Sequence, residues 1–64
     1  MSVKRGKFVR HLEANGCVLH RHGSKHDIYK NIATAKKTTV PRHPQIDPHL
    51  CDAICKQLDI PKMD

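Results

Sequence analysis

The sequence lacks any apolar run that could cross a bilayer, since no stretch approaches the roughly 18 apolar residues that a spanning helix needs. Its first ten residues alternate basic and small residues, so they also lack the apolar core of a signal peptide. We therefore expect a cytoplasmic protein that does not enter a membrane. With 64 residues, 38% of them apolar, the chain can fill only one small core, and we predict one domain over residues 1–64.

Cysteine is scarce and is not spaced as in a disulfide framework. The three cysteines, Cys17, Cys51 and Cys55, are an odd number, and we interpret them as reduced thiols. Cys51 and Cys55 with His49 raise the alternative of a zinc site, but zinc normally takes four ligands at tighter paired spacing. The favoured interpretation is that both cysteines lie on the apolar stripe of a helix and pack in the protein core, and no metal or other cofactor is expected.

Acidic residues are few, and they are unevenly placed. Asp27 is the only acid between Glu13 and Asp47, so the chain lacks the carboxylate cluster of a metal-dependent nuclease. Residues 1–44 hold ten Lys and Arg and two acids, a net +8, whereas residues 45–64 hold two Lys and four acids, a net −2. This segregation is typical of a phosphate-binding surface, which indicates a nucleic acid partner for the basic part.

Apolar periodicity and turn signals predict the order helix, strand, strand, strand, helix. The first helix runs between Ser2, a candidate N-cap, and the C-cap pair Asn15-Gly16. The second helix begins at Asp47-Pro48 and ends before Pro61. The three strands are predicted over residues 17–22, 26–31 and 36–41, and the apolar stripe of the second helix comprises Leu50, Cys51, Ile54, Cys55 and Leu58.

These elements predict a two-layer α+β sandwich with the order αβββα. Strands joined by short turns must be antiparallel, so the sheet has three antiparallel strands. Both amphipathic helices can cover the same face of the sheet and leave its other face exposed.

Four stretches of the sequence, residues 15–17, 23–29, 40–43 and 54–60, read NGC, GSKHDIY, VPRH and ICKQLDI. Together they resemble the HicA toxins. The resemblance implies a fold like the double-stranded-RNA-binding domain, cleavage of messenger RNA, and neutralisation by a HicB-type antitoxin. The family signature is a glycine-led turn, a histidine, and an aromatic residue three positions later. It places the active-site histidine on His26 and the aromatic residue on Tyr29.

The sequence departs from the family pattern at two places. Lys25 precedes the histidine where many members have glycine or serine, which bears on how the substrate is gripped. Residues 31–35 lack a tight-turn glycine between the second and third strands, so we expect a longer and looser loop there.

RNA cleavage without metal requires groups that move protons, because the 2′-hydroxyl of RNA can itself attack the adjacent phosphorus. Histidine suits this chemistry near neutral pH, and His26 is the first candidate. Strand alternation puts His26 on the same side as Ile28, the expected core residue, so a structural role for this histidine stays open. His43, which follows the third strand, is the candidate for a second proton-transfer group.

Other residues are candidates for binding the RNA. Ser24 belongs to the signature turn, and Lys25 and Arg42 are candidate phosphate ligands, although each cation could also be solvated surface. Tyr29 could stack on a base or fill the core. We interpret His11, His20 and His22 as exposed or partner-facing.

The leading hypothesis is thus a metal-independent endoribonuclease toxin, with messenger RNA and a HicB-type antitoxin as partners. A noncatalytic RNA-binding module would use the same basic surface and the same fold. A DNA-binding regulator is less favoured, because two helices separated by three strands do not form a helix-turn-helix.

Overall fold

The computed structural model describes residues 2–63, and it has the predicted helices and three-stranded sheet. Two short strands, β1 and β5, were not predicted, and the third strand of the main sheet begins one residue later than expected. In chain order the elements are β1 (Val3–Lys4), α1 (Arg5–Ala14), β2 (Cys17–His22), β3 (His26–Asn31), β4 (Lys37–Pro41), β5 (Gln45–Ile46) and α2 (Pro48–Gln57).

The main sheet has the order β2-β3-β4, and both pairings are antiparallel. Its register sets His26 opposite Pro41 and Asp27 opposite Val40. The β2–β3 pairing is interrupted by a bulge between Leu19 and Arg21. Separately, β1 pairs antiparallel with β5, which ties the start of α1 to the segment that leads into α2.

Both helices cover the same face of the main sheet, as predicted. Phe8 and Leu12 of α1 join Cys51, Ile54 and Cys55 of α2 in one buried cluster. From the sheet and the flanking segments, the cluster also takes Cys17, Tyr29, Val40, Ile46 and Leu58. The α+β sandwich is thus the observed architecture.

Two expectations about the core were wrong. On β3, the residues that face the helices are Asp27, Tyr29 and Asn31, whereas Ile28 is only half-buried on the opposite face. On α2, Leu50 is 42% exposed, and the buried stripe begins one residue later at Cys51. In both cases, two alternative faces of the element had similar apolar content.

The helix ends are partly as predicted. Asp47 caps α2, since its side chain accepts a hydrogen bond from the His49 backbone N–H at 2.7 Å. Gly16, with φ of 82°, takes the left-handed conformation after α1. The Ser2 cap was wrong: α1 begins later, with Lys4 at its N-cap and no capping side chain, because Val3 and Lys4 pair with β5.

The β3–β4 connection is tighter than expected. The backbone N–H of Asn31 donates to Lys36 O at 2.8 Å, and that of Ala35 donates back to Asn31 O at 2.8 Å. Ala35, with φ of 63°, occupies the left-handed position that glycine usually takes. The buried side chain of Asn31 accepts from the Ala33 N–H and donates to Leu58 O, which fixes the turn to the end of α2. Within residues 2–63, no helix is long and apolar enough to span a bilayer.

Candidate active site

Most of the predicted site residues line one open depression at an end of the main sheet. The β2–β3 turn and the segment after β4 form it, because the register places His26 beside Pro41. The depression has a volume of about 380 Å³ and is lined by Ser24, Lys25, His26, Arg42 and His43. These five residues span two separate stretches of the sequence, and pairing of β3 with β4 brings them together.

A tight turn presents His26. The backbone N–H of Gly23 donates to His26 O at 2.7 Å, which leaves Ser24 and Lys25 at the tip. A Cβ atom at position 23 would lie 2.6 Å from that same oxygen, closer than side chains are found in proteins. Position 23 therefore requires glycine for steric reasons.

His26 is exposed at the start of β3, whereas the expected burial of Ile28, which lies on the same face of the strand, would have placed His26 on the core side. The next residue, Asp27, is buried, so alternation turns the His26 side chain away from the helices. Among the described residues, no side chain forms a hydrogen bond with the imidazole of His26. The ring is thus accessible to a ligand in the depression.

Asp27 connects the site to the rest of the fold. Arg5 Nη2 donates to its Oδ2 at 2.7 Å, and Arg42 Nε and His22 Nδ1 each lie 2.8 Å from its Oδ1. The hydrogen bond from His22, together with the charge and hydrogen bond of Arg42, holds the pKa of Asp27 below its ordinary value despite the burial that opposes this. The carboxylate thereby holds β3, the start of α1 and the end of β4 together.

Arg42 also stabilises the β2–β3 turn. Besides its bond to Asp27, its Nη2 donates to the carbonyl of Gly23, the residue that begins the turn. Nη1 makes no hydrogen bond with a described residue, and the side chain is 42% exposed. Arg42 therefore has N–H groups left for an anion while its position is fixed by two protein contacts.

The remaining sequence candidates are dispersed. Tyr29 is 5% exposed in the core, so its ring fills space under the helices and is not presented to the depression. His11 contacts Pro61 O through Nε2 at 2.8 Å and stacks on Phe8. His20 is exposed at the β2 bulge, and His22 is exposed but bound to Asp27.

The thiols contribute to packing. Cys17, Cys51 and Cys55 are buried and unpaired, and burial is the main reason that their pKa values are raised. Core packing of Cys51 and Cys55 was the favoured prediction, and it is confirmed. In the part of the chain that the structure describes, no three His, Cys, Asp or Glu residues are grouped so as to hold a metal ion.

Sequence reasoning missed the supporting cluster of Arg5, Asp27 and His22. A signal existed, because Asp27 is the only acid in residues 14–46, a span that holds six Lys and Arg. A lone carboxylate within a strongly basic segment is expected to be paired. Which cations pair with it could not be read from the sequence, since Arg5 and Arg42 lie 22 and 15 positions away.

The structure thus defines a small basic α+β domain with an accessible histidine among cationic side chains. Residues 5–60 match the family model for the HicA toxin of bacterial toxin-antitoxin systems. Because the match covers most of the 64 residues, the chain belongs to the HicA toxin family. Searches of curated proteins and of solved structures found no significant match.

Proposed function

We propose that this protein is a toxin endoribonuclease that cleaves messenger RNA in the cytoplasm, with His26 as the principal proton-transfer group. The observation that carries the proposal is the accessible imidazole of His26 in a depression shared with Lys25, Arg42 and His43. Membership of the HicA family supports the toxin role. The basic balance of residues 1–44 supports an RNA substrate.

The reaction needs no group beyond the RNA and these side chains. The imidazole of His26 takes the proton of the 2′-hydroxyl, and the 2′ oxygen then forms a bond to the adjacent phosphorus. The bond from phosphorus to the 5′ oxygen breaks, and a second donor, for which His43 is the candidate, protonates that oxygen. The products are a 2′,3′-cyclic phosphate end and a 5′-hydroxyl end.

The cations have a separate role in this scheme. Negative charge builds on the phosphoryl oxygens as the 2′ oxygen attacks, and fixed positive groups stabilise it. Arg42 is held by Asp27 and Gly23 and is already oriented, whereas Lys25 is exposed at the tip of the turn and is free to follow the phosphate. Ser24 lines the same depression and can donate a hydrogen bond to a phosphate oxygen.

The proposal is tested with labelled RNA in excess EDTA, comparing the unmodified protein with His26→Ala. Loss of proton transfer lowers the rate by about 10²- to 10⁴-fold, while circular dichroism stays unchanged. His49→Ala is the matched control, because His49 is an exposed histidine on α2, outside the depression. Cleavage that persists in His26→Ala contradicts the assignment, and RNA that is retained but not cut by the unmodified protein supports the noncatalytic alternative.

Two further outcomes separate the mechanism from metal-dependent hydrolysis. The new 3′ end is expected to carry a cyclic phosphate and the new 5′ end a free hydroxyl, both of which can be identified by mass spectrometry of a short cleaved oligonucleotide. Activity that disappears in EDTA and returns with magnesium would show that the reaction depends on a metal.

We also propose a HicB-type antitoxin as the protein partner, in keeping with the family. An acidic contact surface over His26 would block the depression and speed association with this basic chain. If the neutralised complex binds a short RNA as tightly as the free toxin does, the antitoxin acts elsewhere, for example on α2, and direct occlusion is wrong.

A further inference from the structure

The face of the main sheet that the helices leave uncovered carries a row of cations. On β3, alternation turns His26, Ile28 and Lys30 toward this side, opposite to the buried Asp27, Tyr29 and Asn31. The register adds the residues that pair with them, namely Arg21 and Val18 on β2 and Lys37 and Thr39 on β4. We call this surface the open face.

The charge pattern of the open face is unfavourable for folding. Lys30 and Lys37 stand directly opposite each other on neighbouring strands, and like charges so placed repel. Among the described residues, Arg21, Lys30 and Lys37 form no ion pair, whereas Arg5, Arg42, Lys36 and Lys62 do. Within residues 2–63, no ion pair offsets the repulsion.

Carboxylates are placed away from this surface. The Asp27 side chain is turned to the helix side, and the other described acids lie on α1 or on α2 and its flanks, at Glu13, Asp47, Asp52 and Asp59. Reduced solvation, and after it the charges of Lys37, Lys30 and Arg21, lower the pKa of His20 at the β2 bulge. Within residues 2–63, the open face thus carries Arg21, Lys30 and Lys37 and no carboxylate.

This surface is continuous with the candidate active site, because His26 begins the same row of β3 that Lys30 follows. Four residues of strand separate the two, which corresponds to about 13 Å at ~3.3 Å per residue. At ~3.4 Å per nucleotide of a stacked strand, this distance corresponds to about four nucleotides. A strand that runs from His26 along β3 would pass over Lys30 and Lys37.

We propose that the open face binds the phosphate backbone of single-stranded RNA beside the cleavage point, with Lys30 and Lys37 as the principal contacts and Arg21 next to them. The inference rests on the proposed function, because it assumes that the RNA enters the depression at His26. It adds a second binding region that lengthens the substrate footprint.

The chemistry of the face also limits what it can recognise. Phe8 and Tyr29 are both buried on the helix side, so among the described residues the open face has no phenyl or phenol ring for a base, and the imidazole of His26 stands at its end. Lysine binds phosphate as a point charge, and contacts with phosphate carry no sequence information. Binding over the open face is thus expected to depend strongly on salt and weakly on sequence.

The test compares two double variants that remove the same charge. Lys30→Ala/Lys37→Ala changes the open face, and Lys7→Ala/Lys62→Ala, on α1 and on the segment after α2, is the control. Binding of a ten-nucleotide single-stranded RNA is measured over a range of salt in a His26→Ala background, which prevents cleavage. Two lost phosphate contacts reduce the slope of log affinity against log salt by about 1.4 in the open-face variant. The control is expected to keep the full slope.

Cleavage by the variants with His26 intact separates the open face from the depression. On the ten-nucleotide RNA at low salt, the open-face variant is expected to lose about tenfold in kcat/KM, because two charged phosphate contacts are removed. On a dinucleotide, which does not reach the open face, it is expected to cleave as fast as the unmodified protein. Equal loss on both substrates would show that the lysines act within the depression, and no loss of affinity, slope or rate on the long RNA would overturn the proposal.

Lys37→Glu provides a second readout that does not depend on cleavage. It places an acid opposite Lys30, so the melting temperature is expected to rise while RNA affinity falls. If this variant instead keeps its RNA affinity and loses only that for an acidic partner protein, the open face is a protein-binding surface. Failure of the unmodified protein to cut any RNA would contradict the proposed function, and the binding slopes would still decide whether the open face holds RNA.

Discussion

The turn that presents His26 should not tolerate even one added methyl group. In Gly23→Ala, the new Cβ would lie 2.6 Å from His26 O, whereas ordinary contact begins at 3.4 Å, an overlap of about 0.8 Å. The oxygen cannot simply retreat, because it accepts the hydrogen bond from Gly23 N–H at 2.7 Å that closes the turn. The substitution must therefore stretch this bond or displace the start of β3.

Both consequences have a predictable size. Losing the turn hydrogen bond costs about 1 kcal/mol, and relieving the overlap by backbone shifts costs about 1–3 kcal/mol more. A core in a chain this small supplies only about 3–5 kcal/mol, so a large share of the stability is lost and the melting temperature falls by at least about 8 °C. Because a shift of about 1 Å in a catalytic group can lower a rate about 10²-fold, cleavage should fall by that order.

The assay measures thermal unfolding by circular dichroism and RNA cleavage at a temperature where every variant is folded. Gly6→Ala is the matched control: Gly6 is the second residue of α1, and a Cβ there has nothing within 4 Å. This control should keep its cleavage rate and gain up to about 1 kcal/mol. If Gly23→Ala melts and cleaves like the unmodified protein, the turn does not set the position of His26 and the steric reasoning is wrong.

Four other substitutions test the fold. Asp27→Asn should lower both the melting temperature and the cleavage rate. The folded pKa of Asp27 lies below its ordinary 3.8, so the stability that the carboxylate contributes is complete above pH 3.8 and is lost as the pH falls through the folded pKa. The variant should therefore lose less stability on acidification than the unmodified protein, which denaturant titrations at several pH values would show. Leu58→Ala should cost about 2–5 kcal/mol and Leu50→Ala less than about 0.5 kcal/mol, and equal costs in denaturant unfolding would contradict the observed face of α2. Ala35→Gly should raise the unfolding free energy by about 0.5–1 kcal/mol, because φ of 63° strains alanine; a lower melting temperature would argue against this turn geometry.

Most strand ends of the main sheet were predictable, because Gly23-Ser24 follows β2 and Pro44 follows β4, whereas the β3–β4 turn carries no glycine or proline. The second strand agrees with β3 at both ends, and Asp47-Pro48 marks the start of α2. The short strands β1 and β5 were not predictable, because two residues are too few to show any periodicity. Their pairing depends on contacts between positions 41 and 43 residues apart, which local patterns do not reveal.

The sequence does not show which face of β3 packs in the core. Alternation defines two sets of side chains, and each contains one large apolar residue, Ile28 in one and Tyr29 in the other. The buried set also contains Asp27 and Asn31, which a hydrophobic criterion would place outside. They are buried because Asp27 finds two guanidinium groups and Asn31 finds Leu58 O, all distant in sequence.

The predicted strand order already implied that the predicted site residues lie close together. Once β3 and β4 pair, Arg42 and His43 must lie near the end of β3 where His26 begins, so a candidate site could be predicted before any side chain was seen. The orientation of Arg42 could not be predicted, because it depends on the Gly23 carbonyl and on Asp27.

Asp27 also makes the stability and the activity of this protein difficult to separate. It holds Arg42, which reaches the depression, and it holds Arg5, whose Nε also donates to Pro41 O at 2.9 Å beside the same end of the sheet. In so small a chain, loss of this carboxylate would leave two guanidinium groups without their partner and loosen the junction of α1, β3 and β4. A fall in cleavage after substitution of Arg5 or Asp27 is therefore no evidence for contact with RNA. Only a variant such as His26→Ala, whose side chain bonds to no other described residue, can report on the chemical step without disturbing this junction.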